Sequence, residues 1–161
     1  MREISPAELA EKLRAEGEAT AQFFAAIPQD AWQDVLYADG EVWTVQQVLA
    51  HITQAEGSLL RLFQRIVAGG DGVVEGFDID EANRLGLEKI TGTGPAELLA
   101  LFQARRGDTV GWVAKLARAD LEKTGRHPFL GVTTVLEMLK LLYRHTQLHQ
   151  RDIRRLQNTS D

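Results

Sequence analysis

The chain has 161 residues, 44% hydrophobic and 25% charged, proportions that fit one globular domain over residues 1–161 with a real apolar core. It contains no cysteine, which excludes disulfide stapling, a thiolate metal site and a cysteine nucleophile, and makes a reducing, cytoplasmic location the expectation. A net charge of -5 offers no electrostatic footprint for nucleic acid, and no apolar stretch approaches the length of a membrane span.

Met1-Arg2-Glu3-Ile4 leads into no apolar run, so the N-terminus reads as lacking a signal peptide. The first helical segment opens at Ser5-Pro6-Ala7-Glu8, which combines an N-cap, a proline in the first turn and the glutamate of a capping box. Leu9, Leu13, Phe24 and Ile27 then fall close to one stripe, interrupted by Glu16, Gly17 and Thr20. A second helix opens at Thr44-Val45-Gln46-Gln47, another capping box, with Trp43 and Val48 at the positions of a hydrophobic staple. Its apolar residues Val45, Val48, Leu49, Ile52, Leu59, Phe63 and Ile66 keep helical spacing to about Ala68.

Gly69 to Gly94 is a connection of about 25 residues, well beyond the usual helix–helix link. Within it Asp80 to Lys89 reads as a short helix capped by Asp80. Asp78, Asp80 and Asn83 lack the glycine and distal glutamate of a calcium loop. The third long helix starts near Gly94-Pro95-Ala96-Glu97 and carries Leu98, Leu99, Phe102, Trp112, Val113 and Leu116. Arg105, Arg106, Asp108 and Thr109 break its pattern. Either they leave room for an anion-binding pocket, or the stretch is kinked or exposed around Gly107 and Gly111, the simpler reading. His127, before Pro128, reads as a turn residue.

The last helix starts at Thr134-Val135-Leu136-Glu137, a further capping box, and ends near Arg151, Arg154 and Arg155, whose cations suit a helix C-terminus. No segment shows sustained alternation with period two, so the fold class is all-α: a four-helix bundle. Antiparallel neighbours need only short links, whereas a parallel pair needs chain enough to travel roughly 35 Å. The long crossover between helices 2 and 3 can do that, so those two can point the same way.

His145 and His149 are one turn apart on the last helix, and two imidazoles at that spacing can share a metal at about 2.0–2.1 Å. Heptad steps from Leu139 and Leu142 land on Thr146 and His149, so His149 sits where the seam wants an apolar residue. His51 lies on the edge of the second helix's apolar stripe and completes a triad if those two helices pack together. Three neutral imidazoles leave coordination positions open, the pattern of a catalytic rather than a closed structural site. A seam histidine is equally well a hydrogen-bonded core residue, and spacing alone does not choose between the two. Asp152 is either an acceptor that orients an imidazole or a solvated charge. Glu56, off the His51 face, is a poor fourth ligand and at most a distant base.

Trp43-Thr44-Val45 leading a helix to His51, and His145-x3-His149 on the final helix, resemble the DinB-like family. Phe77-Asp78-Ile79-Asp80-Glu81-Ala82-Asn83 is similar to a linker of one branch, and His127-Pro128-Phe129-Leu130-Gly131 to the loop before its last helix. The resemblance covers nearly the whole chain. It implies a bundle of up-down-down-up connectivity, a homodimer, and one divalent metal, zinc or nickel foremost, on His51, His145 and His149. It also implies a metal-dependent enzyme that activates water or a low-molecular-weight thiol and acts on a small-molecule substrate, as thiol transferase, isomerase or hydrolase. The alternative is a non-catalytic bundle that binds a metal or a partner. No residue reads as a committed general base, and the absence of nucleic-acid and membrane partners is the expectation.

Overall fold

The computed structural model describes residues 3–160; Met1 and Arg2, which opened the stretch read for a signal peptide, lie outside them, as does Asp161. Four long helices form where the start signals place them: α1 (Pro6–Ala25), α2 (Val45–Val67), α4 (Pro95–Val113) and α6 (Val135–Thr159). Ser5 and Thr44 close complete capping boxes, each side chain accepting the backbone N–H three residues on while Glu8 or Gln47 returns to the cap. At Thr134 the box is half made. Its hydroxyl accepts from the Glu137 N–H, but the Glu137 carboxylate turns outward to Lys140 at 2.9 Å.

The way the helices share their cores fixes their directions. Leu9 and Leu13 from the start of α1 pack with Leu62, Phe63 and Ile66 from the end of α2, Val113 from the end of α4, and Val135, Met138 and Leu139 from the start of α6. The opposite core joins Phe24 from the end of α1 to Val45, Val48 and Leu49 of α2, Leu98 and Phe102 of α4, and Ile153 of α6. So α1 and α6 run one way and α2 and α4 the other, which is up-down-down-up. Both α1 and α2 pack against α4 and α6. The parallel pair α2 and α4 is joined by the long crossover, which contains α3 (Ile79–Lys89) against α2. Asp78, not Asp80, caps α3, accepting from the Glu81 N–H at 3.0 Å.

Two short hairpins, absent from the all-helical reading, flank the helices. β1 (Val35–Tyr37) pairs with β2 (Trp43–Thr44), and β3 (Thr124–His127) pairs with β4 (Gly131–Thr134), both antiparallel. Each runs straight into a helix cap. A five-residue helix, α5 (Arg118–Glu122), precedes β3. Gly72 ties the crossover to β3: the Arg126 N–H donates to Asp71 O at 2.8 Å, and the Val73 N–H to Arg126 O at 3.0 Å. Gly72 has φ +93°, and a Cβ there would lie 2.3 Å from the Arg126 carbonyl oxygen, so only glycine fits.

Arg151, Arg154 and Arg155 do not occupy the last turn of α6, which continues to Thr159 without a basic residue in that turn. The macrodipole reading therefore fails. Arg154 instead lies over the Phe23 ring, 4.7 Å from its centroid, a cation–π contact between α6 and α1. No helix among the described residues is long and apolar enough to cross a membrane.

Candidate metal centre

Between the two apolar cores the bundle carries a polar layer. Thr20, His51, Thr53, Glu56, Arg106, Thr109, Thr146, His149 and Gln150 are all buried. Part of it holds helices together: Gln150 donates to the Thr20 hydroxyl at 2.9 Å, joining α6 to α1. Glu56 and Arg106 form an ion pair, Nε to Oε1 at 2.7 Å and a second bond at 3.1 Å; Arg106 also donates to Leu13 O, and Thr109 donates to Glu56. Neither sequence reading of Arg106 holds, because the side chain is neither exposed nor free in a pocket. Both carboxylate oxygens of Glu56 are engaged, which removes it as a base.

His51 from α2 and His145 and His149 from α6 come together. The Nε2 atoms of His145 and His149 are 2.8 Å apart, and those of His51 and His145 3.4 Å apart. One nitrogen from each ring lies within 4.8 Å of the others. Among the described residues this is the group of three or more His, Asp or Glu side chains able to share an ion.

The protonation of His149 follows from its neighbours. Tyr37 on β1 donates to Asp152 Oδ2 at 2.6 Å, and its oxygen lies 2.8 Å from His149 Nδ1. A carboxylate only accepts, so the phenolic hydrogen belongs to Asp152, and the phenolic oxygen accepts the hydrogen of Nδ1. The Nε2 lone pair is then bare and faces the other two rings. Burial, with the Asp152 bond and charge, raises the Tyr37 pKa and keeps the phenol a donor. Of the two sequence readings of Asp152 the orienting acceptor holds rather than the solvated charge, but it acts through Tyr37, which sequence reading missed. No spacing rule connects a residue on a three-residue strand to one 112 positions away.

All three imidazoles are held neutral. Burial, then the neighbouring ring charges, depress the His51 pKa to about 3. His149 is also at about 3, lowered by burial and His145 against the raising effect of Asp152. Burial lowers His145 as well. Trp43 tilts against His51, ring centroids 4.9 Å apart. A cavity of about 1080 Å³ opens beside the cluster, its walls including Phe77, Leu87, Phe129, Leu141 and Leu148. His127, read as a turn residue, does hold the β3–β4 turn through Nδ1, yet its ring is buried and lines this same cavity.

The sequence pattern of the DinB superfamily matches residues 12–153 of the chain. No protein of curated function matches it. Among solved structures it is similar to YfiT from Bacillus subtilis, described as a probable metal-dependent hydrolase with an unusual four-helix bundle topology: TM-score 0.78, 19% identity, over 99% of this chain and 91% of that one. It is also similar to a mycothiol-dependent maleylpyruvate isomerase, with TM-score 0.71 and 15% identity, over 93% of this chain but 61% of the isomerase. A third is the colibactin self-resistance protein ClbS, solved with double-stranded DNA: TM-score 0.72, 17% identity, over 98% of both chains. At these identities the likeness is one of fold.

Proposed function

The chain belongs to the DinB superfamily, and from that premise we propose that His51, His145 and His149 hold one divalent metal ion, zinc or nickel, in an enzyme acting on small molecules. The observation that carries the reading is the convergence of three neutral ring nitrogens. Bonds of about 2.0–2.1 Å at tetrahedral or octahedral angles place ligand nitrogens about 2.8–3.4 Å apart. The separations of 2.8 and 3.4 Å bracket that range. Hydrogen bonding alone serves the cluster poorly. With the His149 hydrogen on Nδ1, a hydrogen on His145 Nε2 can point at His149 or at His51 but not at both. A single cation satisfies all three lone pairs.

An ion held by His51, His145 and His149 would supply Lewis acidity, enough to make water or a thiol a nucleophile near neutrality. The chain's own residues do the rest. Asp152 and Tyr37 keep the proton of His149 on Nδ1 and fix the ring's direction. Burial keeps the three imidazoles unprotonated, and the cavity, whose largely apolar wall also carries Lys89, Arg144 and Arg151, gives an organic molecule a place beside them. The chain has no cysteine, so a participating thiol is a separate small molecule. The relatives support both chemistries, one being described as a probable hydrolase and another as mycothiol-dependent.

Cobalt-substituted protein tests the proposal, because its visible bands report coordination. Added cysteamine is expected to shift those bands and add a sulfur-to-cobalt charge-transfer band in the wild type, and to do neither in His149→Ala. Spectra indifferent to both thiol and azide would mean that no exchangeable position exists, leaving a non-catalytic module.

A further inference from the structure

The wall of the cavity beside the three histidines is mostly apolar, yet Lys89, Arg144 and Arg151 stand in it. That reverses the balance of a chain whose net charge is -5. The acidic residue in the same wall is Asp80, and no cation pairs with it among the described residues. Asp80 and Lys89 lie at opposite ends of α3, in its first and last turns. On α6, Leu141, Arg144, Leu148 and Arg151 recur at steps of three and four, so one face of the helix brings them to the cavity. Along that helix the two arginines enclose His145 and His149. All three cationic residues are exposed, which puts them where the cavity meets solvent. Neither Lys89 nor Arg151 has a side-chain hydrogen bond or ion pair among the described residues, and Arg144 comes only to 3.9 Å from Glu137.

An exposed cation by itself marks no site. Three gathered at the edge of one apolar cavity, two of them enclosing its histidines, decide the charge that the cavity attracts. A cleft lined by one sign of charge between low-dielectric walls focuses the field and concentrates the opposite sign. The planar guanidinium fork matches a carboxylate. We propose that the molecule taken by the cavity is a mainly apolar organic acid. Its body lies against Phe77, Leu87 and Leu148, and its carboxylate is held at the rim by Arg144 and Arg151, with Lys89 adding to the positive field. The proposal rests on reading the cavity as the substrate site beside the metal centre. It makes Arg144 and Arg151 specificity residues, which select for charge and have no part in holding the ion.

Phenylbutyrate and phenylbutyramide, of one shape with and without the charge, are the probes, and calorimetry of the zinc-loaded protein reads their affinities. The acid is expected to bind about tenfold tighter than the amide, and that preference to shrink in high salt. A variant carrying Arg144→Gln and Arg151→Gln is expected to lose the preference while its zinc stoichiometry is unchanged. A preference that survives in this variant overturns the proposal, because the carboxylate is then bound elsewhere, at the metal included. Equal affinities in the wild type, or no binding of either probe up to its solubility limit, overturn it as well. Should the variant not fold, the salt dependence in the wild type decides: a preference indifferent to salt counts against the arginines. His149→Ala separates the two readings, since unchanged zinc binding there sinks the metal assignment while the acid preference still judges Arg144 and Arg151.

Discussion

At the scale of single residues, Tyr37 and the histidines carry the chemistry. The histidines were legible because spacing and seam position are local properties of a helix. Tyr37 was not, since its partners are fixed only when the β1–β2 hairpin folds onto α6. Outer-shell partners of a ligating histidine are commonly worth 10- to 100-fold in metal affinity. Tyr37→Phe is therefore expected to weaken zinc binding by about that factor, with the circular dichroism spectrum retained; calorimetry of both proteins checks it. Linkage gives a second outcome. His51 and His149 titrate at about 3 in the folded chain against an ordinary value of 6.5, so below pH 6.5 the unfolded state takes up more protons. The contribution of these rings to stability is complete above pH 6.5 and is lost as pH falls toward 3. Urea midpoints of metal-free protein should fall across that window. In a variant with both residues replaced by leucine, the decline should be shallower.

At the scale of elements, the caps of α1 and α2 and the stripe of α6 lie where the sequence put them, because capping and periodicity act within a few residues. The hairpins escaped notice because strands of two to four residues are too short for alternation to register. The Arg106 interruption was ambiguous for a different reason. An arginine that breaks a stripe looks the same in sequence whether it is exposed, pocket-lining or paired, and its partner Glu56 is 50 residues away. That pair now gives a sharp expectation. Removing one partner of a buried pair leaves an uncompensated charge and costs about 3–5 kcal/mol. Arg106→Leu should lose about that much in urea unfolding, and Glu56→Leu with Arg106→Leu distinctly less. Gly17 is the packing counterpart: a Cβ there meets Arg106 Cγ at 2.6 Å. Gly17→Ala is expected to cost about 1–3 kcal/mol by the same measurement.

Across the whole molecule, two apolar cores enclose a polar layer, and the up-down-down-up order is what completes the triad. It sets α2 beside α6, so His51, in the first third of one helix, meets His145 and His149, on either side of the middle of the other, running the opposite way. The long crossover made that order readable in the sequence. The meeting of the three nitrogens was not readable, since it depends on how two helices are rotated about their axes. Metal analysis of protein purified without a histidine tag, paired with X-ray absorption at the zinc edge, tests the convergence most directly. One zinc per chain with three imidazole nitrogens at about 2.0–2.1 Å is expected, and its loss in His149→Ala. A wild type without zinc or nickel, or a His149→Ala variant that keeps the full complement, would contradict it.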